Sequence, residues 1–118
     1  MIEFFVSGDP IPKQSFRYSR GGGYADPRVT AWQEQVGYVA RQNIAEPITG
    51  NVSLTLKFYL RDNRRVDADN LSKAVCDALN SIAYKDDRQI TDLRITKAIY
   101  RNNPGVWIEI DKEIESEK

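Results

Sequence analysis

The sequence predicts an α+β (α/β) fold with the element order β-α-β-α-β-β, in which two helices pack on one mixed sheet. Apolar residues alternate with polar ones from 52 to 60, the period of a half-buried strand. Two further segments, 27–44 and 70–83, carry apolar residues at helical spacing. The chain has 118 residues, a usual size for one domain. We therefore predict a single domain over residues 1–118.

The first part of the chain predicts a strand, an irregular segment and a helix. The apolar run 2–8 indicates a strand. Residues 9–27 contain three prolines and three consecutive glycines, which exclude a continuous helix and predict a Gly/Pro-rich loop. From residue 27 to 44, Trp32 and Val36 belong to an apolar stripe at helical spacing.

The central part predicts the clearest strand and the helix that follows it. The alternating strand covers residues 51–61, and a polar turn leads from it into a helix over 70–83. We expect Asp69 or Asn70 to cap this helix, because a side-chain oxygen at that position accepts hydrogen bonds from the free amides of the first turn.

The last part predicts two strands, 89–101 and 105–113, joined as a hairpin by the Asn-Asn-Pro-Gly turn at 102–105. The apolar strands nearest the chain ends, 2–8 and 105–110, are the candidates for the edges of the sheet.

The composition excludes several classes of site. The sequence has no histidine, which removes the usual zinc sites, the Ser-His-Asp triad and the Cys-His dyad. Its one cysteine, Cys76, cannot form an internal disulfide and suits a reducing cytosol. No apolar run approaches the roughly 18 residues of a membrane span. We expect a cytoplasmic protein that needs neither a membrane nor an organic cofactor.

The net charge is zero, but the charges are unevenly distributed. The last ten residues hold five acidic and two basic side chains, and the stretch 111–118 forms an acidic tail. The rest of the chain has a net charge of +3 and two basic patches, which are Lys13, Arg17, Arg20 and Arg28, and then Lys57, Arg61, Arg64 and Arg65. Such patches favour contacts with nucleic-acid phosphates, although charge runs of this kind usually lie on a solvated surface.

Carboxylates gather on both sides of the second predicted helix. Asp67 and Asp69 stand two residues apart at its start, where extended backbone would point both the same way. Lys73 follows four residues later on the same helical face. Asp86 and Asp87 come after the helix. This late pair must reach the early pair by folding or come from a second chain, and the sequence leaves both routes open.

Oxygen ligands without histidine or cysteine favour Mg²⁺, or Mn²⁺ in its place, over zinc. Such a site suits the hydrolysis of a phosphodiester, with Lys73 placed near the charge that builds in the transition state. The separate motifs are weak, because Asp69 could be a plain helix cap and Asp86 with Asp87 a helix-terminating turn. The spacing alone leaves metal binding and structural roles as alternatives.

Taken together, the motifs resemble one known family. The stretches VDADNLSKAVCDAL, 66–79, and YKDDRQI, 84–90, resemble the central signature of the RusA family of Holliday junction resolvases, endonucleases often encoded by phages and prophages. That signature is Asp-x-Asp-Asn-x-x-Lys, then Asp-x-Leu, then Asp-Asp-x-Gln. The opening GDPIPKQSFR, 8–17, is similar to the Pro-x-Pro-Lys-x-x-x-Arg start of that family.

The resemblance implies a role for each matched residue. Asp67 and Asp69 match the metal-binding aspartates and Lys73 matches the essential lysine of the family. Asp87 matches the third catalytic aspartate, with Asp86 as the alternative register. The resemblance also implies a Mg²⁺-dependent homodimer with one active site per subunit.

The implied activity is that of an endodeoxyribonuclease in DNA recombination and repair. It would bind branched DNA, nick two opposing strands of a four-way junction, leave 5′-phosphate and 3′-hydroxyl ends, and associate with the nucleoid in use. The predicted DNA-binding residues are Lys13, Arg17, Arg20, Arg64, Arg65, Lys85 and Arg88. The alternatives are a related metal nuclease acting on forks, flaps or RNA, and a junction-binding module without catalysis.

Overall fold

Four long strands and two helices appear in the predicted order. The computed structural model describes residues 1–13, 17–19, 22–24 and 26–113. The elements are β1 (Ile2–Ser7), β2 (Arg17–Ser19), β3 (Gly22–Tyr24), α1 (Pro27–Asn43), β4 (Val52–Leu60), α2 (Ala68–Leu79), a 3-10 turn (Asp87–Gln89), β5 (Ile90–Ile99) and β6 (Gly105–Lys112). The predicted α+β class, with β-α-β-α-β-β as its main order, is confirmed.

The four long strands form one mixed sheet in the order β1-β6-β4-β5. β6 is antiparallel to β1 and to β4, whereas β5 is parallel to β4. The predicted hairpin between the last two strands is therefore wrong, because β5 and β6 lie on opposite sides of β4. The turn sequence indicated a reversal of the chain, but it does not decide whether the flanking strands pair. β6 is also not an edge, since the two edges are β1 and β5.

One face of the sheet is buried under the helices. Every second residue of β4 is buried, and the residues between them are partly buried. The core adds Trp32 and Val36 from α1 and Leu71 and Val75 from α2. The complete burial of one side of β4 explains its central position, because a central strand removes the most apolar surface from water.

The predicted Gly/Pro-rich loop contains a short antiparallel hairpin that the sequence did not indicate. β2 and β3 pair over three residues each. Glycine is depleted in strands, so the consecutive glycines concealed this pairing. Beyond the hairpin, Asp26 caps α1 by accepting a hydrogen bond from the Arg28 amide, with Pro27 in the first turn. Within the described ranges, neither helix is long and apolar enough to cross a bilayer.

α2 begins and ends earlier than predicted. The cap is Asp67 rather than Asp69 or Asn70, and its carboxylate accepts a hydrogen bond from the Asp69 amide at 2.9 Å. The helix ends at Leu79, although the apolar stripe continues into the next residues.

A turn stabilises the C-terminal end of α2. The buried Tyr84 hydroxyl donates to the Cys76 carbonyl at 2.9 Å and so satisfies one of the free acceptors of the last turn. Ala83 is also fully buried, and its amide donates to the Leu79 carbonyl at 2.9 Å. The residues after Leu79 are apolar because the turn itself packs into the core.

Candidate active site

The early carboxylates lie where the chain leaves β4 and enters α2. Asp67 uses one oxygen to cap the helix, and Asp69 follows in the first turn, where the helix dipole favours a negative charge. Both residues are exposed, as is Lys73 one turn further along the same face. The local fold therefore presents two carboxylates and an ammonium group on one exposed end of α2.

Arg64 fixes the segment that precedes α2. Its guanidinium donates two hydrogen bonds to the Asp9 carboxylate, at 3.1 and 2.7 Å, and one to the Pro10 carbonyl at 2.6 Å. This bidentate geometry is specific to arginine. The neighbouring Arg65 is exposed. A DNA contact by Arg64 stays a prediction, and its observed partners give it a structural role.

Lys13 lies along α2. Its backbone amide donates to the Asn70 carbonyl at 2.9 Å, and its ammonium group forms an ion pair with Asp77. The side chain thus extends from the first turn of the helix towards the last. A DNA contact by Lys13 would have to share the ammonium group with Asp77.

The late carboxylates lie in the 3-10 turn and differ in their electrostatics. Asp86 caps the turn, and hydrogen bonds from the backbone and guanidinium of Arg88 hold the pKa of Asp86 below its ordinary value. The pKa of Asp87 is raised by its hydrogen bond with Asp86, by partial burial, and by the negative charges of Asp86 and Asp77. A cation bound beside Asp87 would relieve that repulsion.

Gln89 holds the late carboxylates in place, and the sequence analysis missed this role. Its Oε1 atom accepts from the amides of Lys85 and Asp86, at 2.8 and 3.1 Å. Its Nε2 atom donates to the carbonyls of Ile48 and Gly50, both at 2.8 Å. The signal was present in the Asp-Asp-x-Gln motif, because a glutamine two residues after the acidic pair is positioned to close a capping box.

The remaining predicted DNA-binding residues are divided between described and undescribed parts of the chain. Lys85 and Arg88 are exposed beside the late carboxylates. Arg17 begins β2, but its side chain and the whole of Arg20 lie outside the described residues.

The early and late carboxylates lie at opposite ends of α2. Asp77, whose charge acts on Asp87, is in the last turn of the helix, and a helical rise of about 1.5 Å per residue separates it from Asp67 by about 15 Å. Among the residues that the structure describes, no group of three or more acidic or cysteine side chains could hold a metal ion. Each end offers carboxylate oxygens, which suit a hard divalent cation.

The sequence comparisons assign the chain to a family. The family model described as "Endodeoxyribonuclease RusA" matches residues 7–111. The chain belongs to the RusA family. The resemblance inferred from the motifs is thereby confirmed, over a range that includes both helices and most of the sheet.

Three relatives, two of which carry the RusA name, align with most of the chain. The "Uncharacterized protein YqaN" of Bacillus subtilis (strain 168) is 33% identical, over 92% of this chain and 94% of its own. The "Crossover junction endodeoxyribonuclease RusA" of Aquifex aeolicus (strain VF5) is 30% identical, over 92% and 90%. The protein of the same name from Escherichia coli (strain K12) is 28% identical, over 75% of each chain.

Proposed function

We propose that this RusA-family protein is a Mg²⁺-dependent endodeoxyribonuclease that resolves four-way DNA junctions by paired symmetric nicks in recombination and repair. The observation that carries the proposal is the position of the family's acidic residues and lysine. Asp67, Asp69 and Asp87 are exposed at the two ends of α2, with Lys73 beside the early pair. The protein would act in the cytoplasm on nucleoid DNA, and Mn²⁺ would substitute for Mg²⁺.

The chemistry follows from the residue types. Asp67 and Asp69 from one chain and Asp87 from a second, with Asp86 beside it, would hold the ion. When bound, Mg²⁺ supplies a Lewis acid for the scissile phosphate and acidifies attacking water. Lys73 contributes a positive charge where negative charge grows on the phosphate. The products would carry 5′-phosphate and 3′-hydroxyl ends.

A homodimer formed through β5 accounts for the separation of the carboxylates. In the described chain, β5 pairs with β4 alone and leaves ten residues of unpaired edge. Leu93 and Ile99 on this strand are 42% and 48% exposed. A long edge with exposed apolar residues is a hazard unless a partner covers it, and a second copy in antiparallel pairing would do so.

The same pairing would bring the two carboxylate groups together. Asp87 lies just before the start of β5. Near the other end of β5, the Lys97 ammonium donates to the Val66 carbonyl at 2.7 Å, directly beside Asp67. Antiparallel pairing about a two-fold axis places the start of one strand beside the end of the other. Asp87 of one chain then approaches Asp67 and Asp69 of its partner.

Mixing two inactive variants tests this shared site. Asp69→Asn and Asp87→Asn homodimers should each fail to cleave a labelled junction, because both sites lack a ligand. After unfolding and refolding together, half of the dimers carry one variant of each kind. In these dimers one site has lost both ligands and the other has lost neither, so about a quarter of wild-type nicking should return.

Sites contained within single chains would give a different result. Each site in the mixed dimer would still lack one ligand, and no activity would return on mixing. A light-scattering mass of one chain under cleavage conditions would exclude the dimer directly. Leu93→Lys should shift the mass towards one chain, whereas Tyr38→Lys, at a 62% exposed position on α1, should leave it unchanged.

The choice of DNA separates the proposal from its rivals. Cleavage of a four-way junction in Mg²⁺ should exceed cleavage of a linear duplex, a fork, a flap and an RNA of the same sequence. Preference for any of the latter would indicate the related nuclease instead. Tight junction binding without cleavage in Mg²⁺ or Mn²⁺ would indicate the non-catalytic module.

A further inference from the structure

The face of the sheet opposite the helices carries a cluster of aromatic residues. The Phe5 and Tyr59 rings lie 6.3 Å apart between centroids, and the Tyr59 and Tyr100 rings lie 6.1 Å apart in an edge-on arrangement. Trp107 stands beside Phe5 in the strand register. Tyr100 is 49% exposed and the other three rings are partly buried. These four rings, Phe5, Tyr59, Tyr100 and Trp107, form what we term the aromatic face.

The backbone is adapted to this arrangement at one position. Gly105 lies between Ser7 of β1 and Tyr59 of β4 in the register. A Cβ atom there would lie 2.3 Å from the Val6 carbonyl oxygen and 2.5 Å from the Phe5 ring. The absence of a side chain lets the Phe5 ring cross β6 and approach Tyr59.

Hydrogen bonding fixes the fourth ring. The Trp107 indole donates to the Glu109 carboxylate at 2.7 Å, and Lys57 forms an ion pair with the same carboxylate at 3.4 Å. These contacts hold the pKa of Glu109 below its ordinary value, first through Trp107 and then through Lys57. The ring is therefore held by a charged pair, which restricts its orientation before any ligand binds.

The charges on this side of the sheet are unequally distributed along the strands. Arg61 and Arg101 follow the ends of β4 and β5 beside Tyr59 and Tyr100, are exposed, and form no ion pair with another described residue. Glu3 and Asp111 lie towards the opposite end of the sheet. Arg61 and Arg101 outweigh the exposed Asp62, whereas Asp111 pairs with the amino terminus and is followed by Lys112, so the aromatic end is the more positive of the two.

We propose that the aromatic face binds unpaired bases of a DNA strand by stacking, while Arg61 and Arg101 contact its phosphates. Partly exposed rings on one face of a sheet, with cations at their margin, fit single-stranded nucleic acid, because every base offers a flat face for stacking. The face lies at the end of the sheet from which β4 leads to Asp67. A strand held here would come from the branch point of the junction, and in this respect the inference rests on the proposed function.

Binding to two single strands tests the aromatic face without any cleavage. Fluorescence anisotropy is measured in the absence of divalent metal with a labelled oligothymidylate of about 12 nucleotides, within the range that such surfaces bind. A second strand of equal length has abasic sites in place of the thymidines and so keeps the phosphates. The wild-type protein should bind the first strand at least about fivefold more tightly.

Variants at the exposed ring give the sharper result. Tyr100→Ala should weaken binding of oligothymidylate by about fivefold or more and leave binding of the abasic strand unchanged. Tyr100→Phe keeps the ring and should bind like wild type. Tyr38→Ala removes an exposed tyrosine from α1 and is the matched control, with no change expected.

Three outcomes would overturn the inference. These are equal affinity for the two strands, unchanged binding by Tyr100→Ala, or a fall in light-scattering mass with Tyr100→Ala, which would make the face an interface between copies. A protein that stacks bases but never cleaves would refute the proposed nuclease and leave the aromatic face standing. A protein that cleaves junctions but binds the two strands equally would refute the aromatic face as a base-binding site and leave the proposed nuclease in place.

Discussion

The two ends of α2 carry the same kind of residue but hold it by different means. At the N-terminal end, Asp67 is both the helix cap and a proposed metal ligand. At the C-terminal end, two uncharged side chains stabilise the structure, together with Asp86, which caps the 3-10 turn. The Tyr84 hydroxyl donates to a free carbonyl in the last turn of the helix, and Gln89 fixes the turn that carries Asp87.

At the N-terminal end, function and stability depend on the same residue, whereas at the C-terminal end they depend on different residues. A carboxylate that caps a helix has one oxygen engaged and a defined direction, so capping also prepares Asp67 to bind a cation. Asp87 has no such role because neighbours hold its backbone. Its pKa is raised first by the hydrogen bond with Asp86, then by partial burial and by the charges of Asp86 and Asp77, which Arg88 offsets only in part. At the N-terminal end one residue, Asp67, therefore serves both folding and chemistry, whereas at the C-terminal end Asp87 serves chemistry and Tyr84 and Gln89 support the fold around it.

The largest expected effect is that of Asp69→Asn. The change keeps the shape of the side chain and removes one negative charge from the proposed site. Junction cleavage in Mg²⁺ should slow by at least about 100-fold, as for loss of a main electrostatic element. Binding of the junction without metal should persist or tighten, because a charge that repels phosphate is gone.

Asp111→Asn is the control for charge, because Asp111 is an exposed aspartate at the far end of β6. It should cleave like wild type. Near-normal Mg²⁺-dependent cleavage by Asp69→Asn would remove Asp69 from the site and leave it as a residue of the first helical turn.

At the other end of α2, Gln89→Ala should reduce both stability and activity. It removes four hydrogen bonds, each with a net value near 1 kcal/mol, while water replaces part of them, so we expect a loss of about 2 kcal/mol in the free energy of unfolding. Cleavage should also fall because Asp87 loses its support. Gln33→Ala, which removes a single bond to the Ala74 carbonyl, is the control in urea denaturation. Equal losses for the two variants would show that the Gln89 network adds nothing.

The sequence predicted most elements of the fold because their patterns are local. The alternation in β4 and the stripe of α1 depend only on neighbouring residues. The pairing of β5 and β6 with opposite sides of β4 depends on competition between distant strands, which no local pattern encodes. The chain reversal at Asn80–Tyr84 was hidden for a related reason, since its buried residues extend the helical stripe.

The candidate site was predictable to a similar extent. Motif spacing identified Asp67, Asp69 and Lys73 as neighbours, which the helix start makes evident. The distance of Asp87 from them depends on how the chain turns after α2, so the sequence left two routes open. The partners of Arg64 were also invisible, because Asp9 is 55 residues away in the chain.

Arg64 and Arg65 are adjacent in the segment before α2. Comparing variants of the two distinguishes a structural role from a DNA contact. Arg64→Gln should lower the free energy of unfolding by about 1–2 kcal/mol, because it breaks charged hydrogen bonds that are partly screened by solvent. Arg65→Gln should change stability by less than about 0.5 kcal/mol. In binding titrations at several salt concentrations, Arg65→Gln should lower the salt slope by about one.

The opposite result for stability and salt slope would identify Arg64 as a phosphate contact. A lowered salt slope with unchanged stability in Arg64→Gln would mean that its bonds to Asp9 and Pro10 open when DNA binds. An unchanged slope in Arg65→Gln would place Arg65 on a solvated surface.

The smallest effect concerns Tyr84 and depends on pH. Tyr84→Phe keeps the buried ring and removes the hydrogen bond to the Cys76 carbonyl, so at neutral pH it should cost about 1 kcal/mol in the free energy of unfolding. Burial raises the pKa of Tyr84 well above its ordinary 10.0 in the folded protein. In the unfolded chain the phenol ionises near the ordinary value, so the wild type loses stability as the pH rises above it.

Phenylalanine cannot ionise, so the difference between the two proteins should shrink between about pH 8 and about pH 10.5. Both proteins should lose some stability over this range, since burial also raises the pKa of Cys76 from 9.0 and the unfolded thiol ionises first. Urea denaturation at the two pH values measures both effects. A constant difference would mean that Tyr84 ionises equally in the two states and that the C-terminal end of α2 is open to water. The contrast between a helix start capped by an exposed carboxylate and a helix end closed by the buried Tyr84 would then be lost.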